Sequence, residues 1–312
     1  MMGENRKSIL ILKSDKDSFE NFYINHMQEN NIKTVPIYRY NKRVALWILT
    51  IWMELLHLPF QWIWYGNWKK FLYKYDVVIV FDNISSWKVL SYIKKKNPKA
   101  RIIVWYWNMI TKKNVIPGKY RKTCEVWSFD QQDCMRYKLQ KNIQFYFHSE
   151  VRQDILPQYD AIFVGKDKGR WEVVMDMKRR LENCNLKLYI NVVKDTSMIK
   201  KINIRNRRNK YERLLDYKEV LRIINESSCI IDVPQPGQTG LTVRTLEALF
   251  YKKKLISTNM SLRSYEFYRP ENILIWNSEC DNDTIIDFFR KPYKEIADVQ
   301  FAFENWIDNF GL

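Results

Sequence analysis

SSCIIDVPQPGQTGLTVRTLEALFYKKKLISTN, residues 227–259, reads as strand, turn, helix and strand. Cys229-Ile230-Ile231 is a short apolar run, and Lys254-Leu255-Ile256-Ser257 is another. Between them Val243, Leu246, Leu249 and Phe250 recur at helical spacing, with Glu247 at the edge of that face about two turns into the helix. Gly237, Gly240 and the pair Gln238-Thr239 stand at the mouth of the helix. A helix N-terminus carries unpaired N–H groups and the positive end of a dipole, so a glycine-bearing turn before it suits a phosphate. The same pattern also fits a plainly capped helix in an α/β unit.

Outward from this unit the pattern repeats. Runs rich in β-branched and aromatic residues fall at 9–12, 34–38, 77–81, 102–107, 126–129 and 143–147, then at 161–164, 186–193, 229–233, 254–257 and 273–276. Helix-length stretches separate them, among them 171–181, 217–227 and 243–251. Alternating strands and helices predict mostly parallel sheets, and runs that are continuously apolar predict strands buried on both faces. The two series predict two α/β sheets in tandem, with a boundary near Leu156-Pro157.

A chain of 312 residues is long enough for two such domains, and 46% hydrophobic residues with 8 Gly and 9 Pro is a globular composition. Lys and Arg number 52 against 35 Asp and Glu, a formal charge of +17. That field attracts nucleic acid, anionic lipid or phosphorylated small molecules and does not choose among them. The densest cluster is Lys200, Lys201, Arg205, Arg207, Arg208, Lys210 and Arg213, which reads as a solvated face. Five widely spaced cysteines without a CxxC pair read as reduced thiols of a cytoplasmic protein, and the first dozen residues lack a secretory pattern. Residues 44–68 hold five tryptophans but are broken by Glu54, His57 and Pro59. Their uncharged run, 44–53, is too short to span a bilayer. Tryptophans flanked by Lys42, Arg43, Lys69 and Lys70 suit either a membrane interface or a buried helix pair.

A second loop carries chemistry. Phe163-Val164-Gly165-Lys166-Asp167-Lys168-Gly169-Arg170-Trp171 runs from strand to helix through two glycines and three basic side chains, a composition able to hold a diphosphate or to form a basic surface turn. It is not a GxxxxGK[ST] loop, and the chain has no GxGxxG. Candidate bases are aspartates at strand ends: Asp15 and Asp17, Asp82, and Asp130 and Asp133, with Asp17 and Asp82 preferred. Asp15-Lys16-Asp17 and Asp281-Asn282-Asp283 match a metal-binding DxD pattern, but neither has its context and neither is assigned a metal. His26, His57 and His148 read as structural or exposed.

Residues 217–259 resemble the C-terminal donor-site motif of GT-B glycosyltransferases, where a Glu-Gly-Leu-Pro turn leads into a helix with a second Glu eight positions after the first. Thr239-Gly240-Leu241-Thr242 occupies the turn and Glu247 the second Glu. The small enzymes of bacterial polysaccharide and lipopolysaccharide biosynthesis are the most similar members. The loop at Gly165 fits the resemblance, which is only architectural across the N-terminal half. Thr239 replaces the family's first Glu and Thr242 its Pro, so sugar identity and stereochemistry do not carry over.

The resemblance implies two tandem Rossmann-like domains facing across a cleft: 1–156 on the acceptor side, 157–295 binding the nucleotide-sugar, and a helix in 296–312 crossing back to the first. It implies that Glu247 binds the ribose, that Gln238, Thr239, Gly240, Leu241 and Thr242 approach the diphosphate or sugar, and that Gly165, Lys166 and Arg170 serve the phosphates. Positive groups would then replace a divalent metal, and no cofactor is expected. The implied partners are a nucleotide-sugar and a lipid-linked saccharide acceptor, with peripheral contact to the inner membrane and no nucleic acid. A basic nucleic-acid or anionic-lipid binding protein and a sugar-nucleotide epimerase are the alternatives.

Overall fold

The computed structural model describes residues 7–39, 48, 52, 60–82, 84, 86–112, 114–148, 155–195, 210–296 and 300–312. The expected membrane segment lies partly, and the cluster from Lys200 to Arg208 wholly, outside them. The chain forms two compact units, Met1–Ile143 with Phe303–Leu312, and Gln144–Ala302.

The first unit is a parallel sheet in the order β2-β1-β3-β4-β5-β6. Its strands are β1 (Ile9–Lys13), β2 (Lys33–Pro36), β3 (Val77–Phe81), β4 (Arg101–Tyr106), β5 (Glu125–Ser128) and β6 (Gln140–Lys141). Helices α1 (Ser18–Glu29), α2 (Lys88–Lys96), α3 (Gly118–Arg121) and α4 (Gln131–Tyr137) connect them. β1 and β3 are buried at every position, as continuous apolar runs require when helices cover both faces.

The second unit is parallel too, in the order β8-β7-β9-β10-β11. It comprises β7 (Tyr159–Lys166), β8 (Leu188–Val193), β9 (Ser227–Asp232), β10 (Lys254–Ser257) and β11 (Ile273–Ile275), with α5 (Trp171–Asn183), α6 (Tyr217–Asn225), α7 (Val243–Phe250) and α8 (Asn282–Arg290). Leu246, Ala248, Leu249 and Phe250 of α7 are buried, and Phe163, Val174, Met177 and Ile231 belong to the core of this unit.

Each sheet therefore has the doubly wound order 2-1-3-4-5, with a sixth strand added in the first. In this topology the chain leaves the first and third strands toward opposite sides, which opens a crevice beyond their carboxyl ends. The crevice lies at β1 and β3 in the first unit and at β7 and β9 in the second.

Two boundaries differ from the reading of the sequence. The apolar run 143–147 is not a sheet strand: β6 ends at Lys141, and Tyr146 already bridges Ala302 within the second unit. Its hydrophobicity serves packing, since Phe145 and Tyr146 are fully buried and the Tyr146 ring meets Phe250 and Tyr251. The units part between 143 and 144 rather than near Leu156. The closing helix α9 (Phe303–Asp308) belongs to the first unit. There Trp306 packs on Phe81 and Trp105, and Asn142 donates to its carbonyl.

Candidate functional site

Lys166 ends β7 and is exposed. The chain then turns through Lys168 (φ 45°) and Gly169 (φ 82°), both in the left-handed region. Asp167 fixes the turn: one carboxylate oxygen accepts the N–H of Arg170 (3.1 Å) and of Trp171 (2.9 Å), and the other accepts the Tyr211 hydroxyl (2.7 Å). The N-terminus of α5 is thus capped by the protein's own carboxylate.

Arg170, expected to face phosphates, folds back over the loop instead. It donates to the carbonyls of Lys166 (3.0 Å) and Val233, and its guanidinium lies 5.1 Å from the Phe163 ring centre. Burial, above all, pushes its pKa down, with neighbouring Arg244 acting the same way and Asp232 opposing. Gly165 leaves room for this fold-back: a Cβ there would come within 2.8 Å of the Arg170 Nη2, so the tip of that side chain would have to shift. Arg170 thereby ties the loop after β7 to the end of β9.

The turn from β9 into α7 is built differently. Gly237 has φ 85°, and Gln238 donates backbone N–H to Gln235 (3.1 Å). Gln238 and Thr239 are half-buried, while Gly240 and Leu241 are buried. Thr242 caps the helix by accepting the N–H of Thr245 (3.1 Å). The backbone N–H groups of Val243 and Arg244 have no acceptor among the described residues, so this helix start keeps donors available, as that of α5 does at Glu172 and Val173.

Glu247 is placed where the sequence did not point. The helix starts at Val243, so Glu247 lies about one turn in, and its side chain has no exposed surface. Tyr217 donates to one oxygen (2.6 Å), Arg244 pairs with the other, and the Tyr217 hydroxyl also bonds that of Tyr146 (2.7 Å). The carboxylate is enclosed by its own unit, and the side chain that reaches the surface of this network is Arg244.

Arg244 went unnoticed in the sequence, although its i,i+3 spacing from Glu247 on a predicted helix is the signal that finds it. Its Nε donates to the carbonyl of Val164 (3.1 Å), Nη1 pairs with Glu247, and Nη2 has no acceptor among the described residues. The Glu247 carboxylate holds its pKa above the usual arginine value against the opposing effect of burial, which is the largest. Behind it Asp232, fully buried at the end of β9, accepts the hydroxyls of Thr245 (3.0 Å) and Ser257 (3.3 Å). Burial raises its pKa despite these bonds and the nearby Arg170. Lys168 is half-buried, with its pKa lowered first by burial and then by Arg170 and Lys166. Lys166, Lys168, Arg170 and Arg244 thus crowd like charge at the crevice of the second sheet.

The crevice of the first sheet carries acids and one lysine. Asp82, 5% exposed, accepts the N–H of Trp107 (3.0 Å) and the amide of Asn114 (3.2 Å). Burial pushes it up to about 6, against those hydrogen bonds and Lys13. Lys13, 1% exposed at the end of β1, pairs with Glu20 and lies 4.8 to 5.7 Å from the ring centres of Trp107, Phe81 and Tyr23. Burial lowers it to about 7, while Asp17 and Asp82 oppose.

Asp17 is exposed and caps α1, accepting the N–H of Glu20 (2.9 Å). Asp281 caps α8 in the same way, so each DxD pattern includes a helix cap. Asp130 caps α4, and Asp133 accepts the N–H of Ile110 (2.8 Å). His26 bonds the Phe22 carbonyl and the His148 ring packs on Phe250, while His57 lies outside the described residues. The five cysteines are free thiols. Among the described residues no group of three or more His, Cys, Asp or Glu is placed to hold a metal, and no helix is long and apolar enough to cross a membrane.

No family model and no curated protein matches the sequence. Among solved structures the chain is similar to Anabaena HepE in complex with UDP, with a TM-score of 0.42 and 8% identity over 91% of this chain and 89% of that one. It is also similar to the spinosyn forosaminyltransferase SpnP (0.41, 11% identity, 92% and 91%). A third is the spinosyn rhamnosyltransferase SpnG complexed with thymidine diphosphate (0.39, 7% identity, 91% and 90%).

Proposed function

We propose that this protein is a GT-B-type glycosyltransferase that moves a sugar from a nucleotide-sugar to a lipid-linked bacterial surface saccharide without a metal. One observation carries the reading: at the crevice of the second sheet, N–H groups at the start of α7 that have no acceptor among the described residues stand with Arg244, Lys166 and Lys168. Like charges packed together in partial burial repel, and an anion at that point relieves the repulsion while satisfying the open donors. A nucleoside diphosphate leaving group has the charge.

The resemblance of residues 217–259 to a donor-site motif supports the same place for the donor. Gln238, Thr239, Gly240, Leu241 and Thr242 form the turn beside it, Gly165 gives Arg170 room to brace the opposite loop, and Lys166 offers exposed charge. Glu247 acts through Arg244, whose guanidinium it orients. Charge developing on the departing diphosphate is then met by fixed cations, the service a metal gives elsewhere. Asp82, with its pKa raised toward neutrality, suits a base for the acceptor hydroxyl, and Asp17 shares its crevice.

Incubation of the purified chain with UDP-, GDP-, CDP- and dTDP-sugars, with a bacterial glycolipid extract and excess chelator, tests the proposal. Release of one nucleoside diphosphate that depends on the extract supports it. Release from none of these donors, with or without magnesium, contradicts it.

A further inference from the structure

Large hydrophobic side chains exposed one at a time are ordinary on protein surfaces, and Met135, Leu156 and Met260 are of that kind. Residues 60–74 of the first unit are not. Phe60 is 62% exposed, Trp62 48%, Ile63 47%, Phe71 49% and Tyr73 71%. The stretch is a series of short 3-10 turns, Gln61–Trp64, Asn67–Lys70 and Leu72–Lys74. Its inward side is fully used: Tyr65, Trp68 and Leu72 are buried in the core of the unit, and the Trp68 indole donates to the Ile37 carbonyl (2.9 Å). The outward aromatic residues are therefore in excess of what the core requires.

Basic groups are interleaved with them. Lys69 lies 5.3 Å from the Trp62 ring centre, and Lys74 lies 5.6 and 5.9 Å from those of Phe71 and Tyr73. Lys70 is exposed, and no Asp or Glu occurs between Phe60 and Tyr75. Arg39 and Lys70 are close enough to Lys69 to help lower its pKa, after burial. Arg39 also lines a cavity of about 450 Å³ with Pro36, Tyr38, Gly66 and Asn67.

We propose that residues 60–74 are a docking surface for an anionic lipid bilayer. Tryptophan and tyrosine favour the headgroup level, where the ring is half in hydrocarbon and its polar edge stays wet. Lysines at the same level meet the negative surface potential. A protein partner would be expected to match such a surface with acids of its own, whereas a bilayer supplies both halves of the complement at once: acyl chains for the rings and phosphates for the lysines. The surface stands apart from both crevices in sequence, so this inference does not depend on the transfer reaction.

Co-sedimentation of the full chain with vesicles of phosphatidylcholine, alone and mixed with phosphatidylglycerol, tests it. Binding is expected only to the mixed vesicles and is expected to weaken with added salt. Each exposed lysine contributes roughly fivefold, so Lys70→Gln with Lys74→Gln should weaken binding about 25-fold. Trp62→Ser with Phe71→Ser and Tyr73→Ser should weaken it at least about tenfold and leave the circular dichroism spectrum unchanged, because these side chains are outward. Equal binding by the wild type and both variants, or none by the wild type, overturns the proposal. So does a loss of self-association in the variants, read by sedimentation velocity, without a change in vesicle binding.

Discussion

In the first unit the ends of β1 and β3 bring Asp82 beside a lysine enclosed by three aromatic rings, whereas in the second the ends of β7 and β9 gather Lys166, Lys168, Arg170 and Arg244 around an open helix start. The strand order about the two crevices is the same. Topology thus fixes where a site can form, and the residues just past the strands decide whether it handles protons or anions. Burial acts on both and in opposite senses: it raises the pKa of Asp82 and lowers those of Lys13 and Lys168.

The sharpest way to break this division of labour is Asp82→Asn. If the first crevice supplies the base, transfer falls by about 10²- to 10⁴-fold while nucleotide affinity is unchanged. The wild-type kcat/KM should rise with pH through an apparent pKa near the Asp82 value of about 6, and that limb should vanish in the variant. Stability carries the same signature. The folded state holds a proton on Asp82 between 3.8 and about 6, where the unfolded chain does not, so stability falls as pH rises through that window. For Lys13 the unfolded chain holds the extra proton between about 7 and 10.5, so stability rises with pH there, and Lys13→Met should flatten that rise in urea titrations.

Glu247→Ala probes the other crevice. It leaves the Tyr217 hydroxyl and the Arg244 guanidinium without their buried partner. A loss of about 3–5 kcal/mol in chemical denaturation is expected. A change near zero would show that the carboxylate is free to meet a ribose rather than fixed inside the unit. Gly165→Ala is milder: its Cβ makes the tip of the Arg170 side chain shift from Val233, at a cost of about 0.5–1.5 kcal/mol. The smallest effects compare the caps directly. Asp17→Ala and Thr242→Ala should each lower stability by about 1 kcal/mol. Of the two, only Thr242→Ala should also weaken nucleotide binding.

Both sheets were legible because continuous apolar runs such as 77–81 and 229–233 leave little choice but buried parallel strands. The run 143–147 misled because aromatic side chains that fill a core look like a strand when only composition is seen. At the site, the basic loop 165–170 and the glycine-bearing turn 237–242 could be found from local sequence, and they follow adjacent strands. The inward turn of Arg170 and the enclosure of Glu247 could not, since the first depends on the Val233 carbonyl and the second on Tyr217, both distant in sequence. Lys13 was hidden for the same reason: its enclosing rings come from α1, β3 and the end of β4.

Calorimetric titration of UDP, GDP, CDP and dTDP into the chelator-treated protein, into Lys166→Gln with Lys168→Gln, and into Asp82→Asn tests the central claim most directly. The account predicts that one nucleoside diphosphate binds without metal, that the loop variant binds it about 10- to 100-fold more weakly, and that Asp82→Asn binds it as the wild type does. Binding of none of the four, or binding lost in Asp82→Asn and kept in the loop variant, would contradict it.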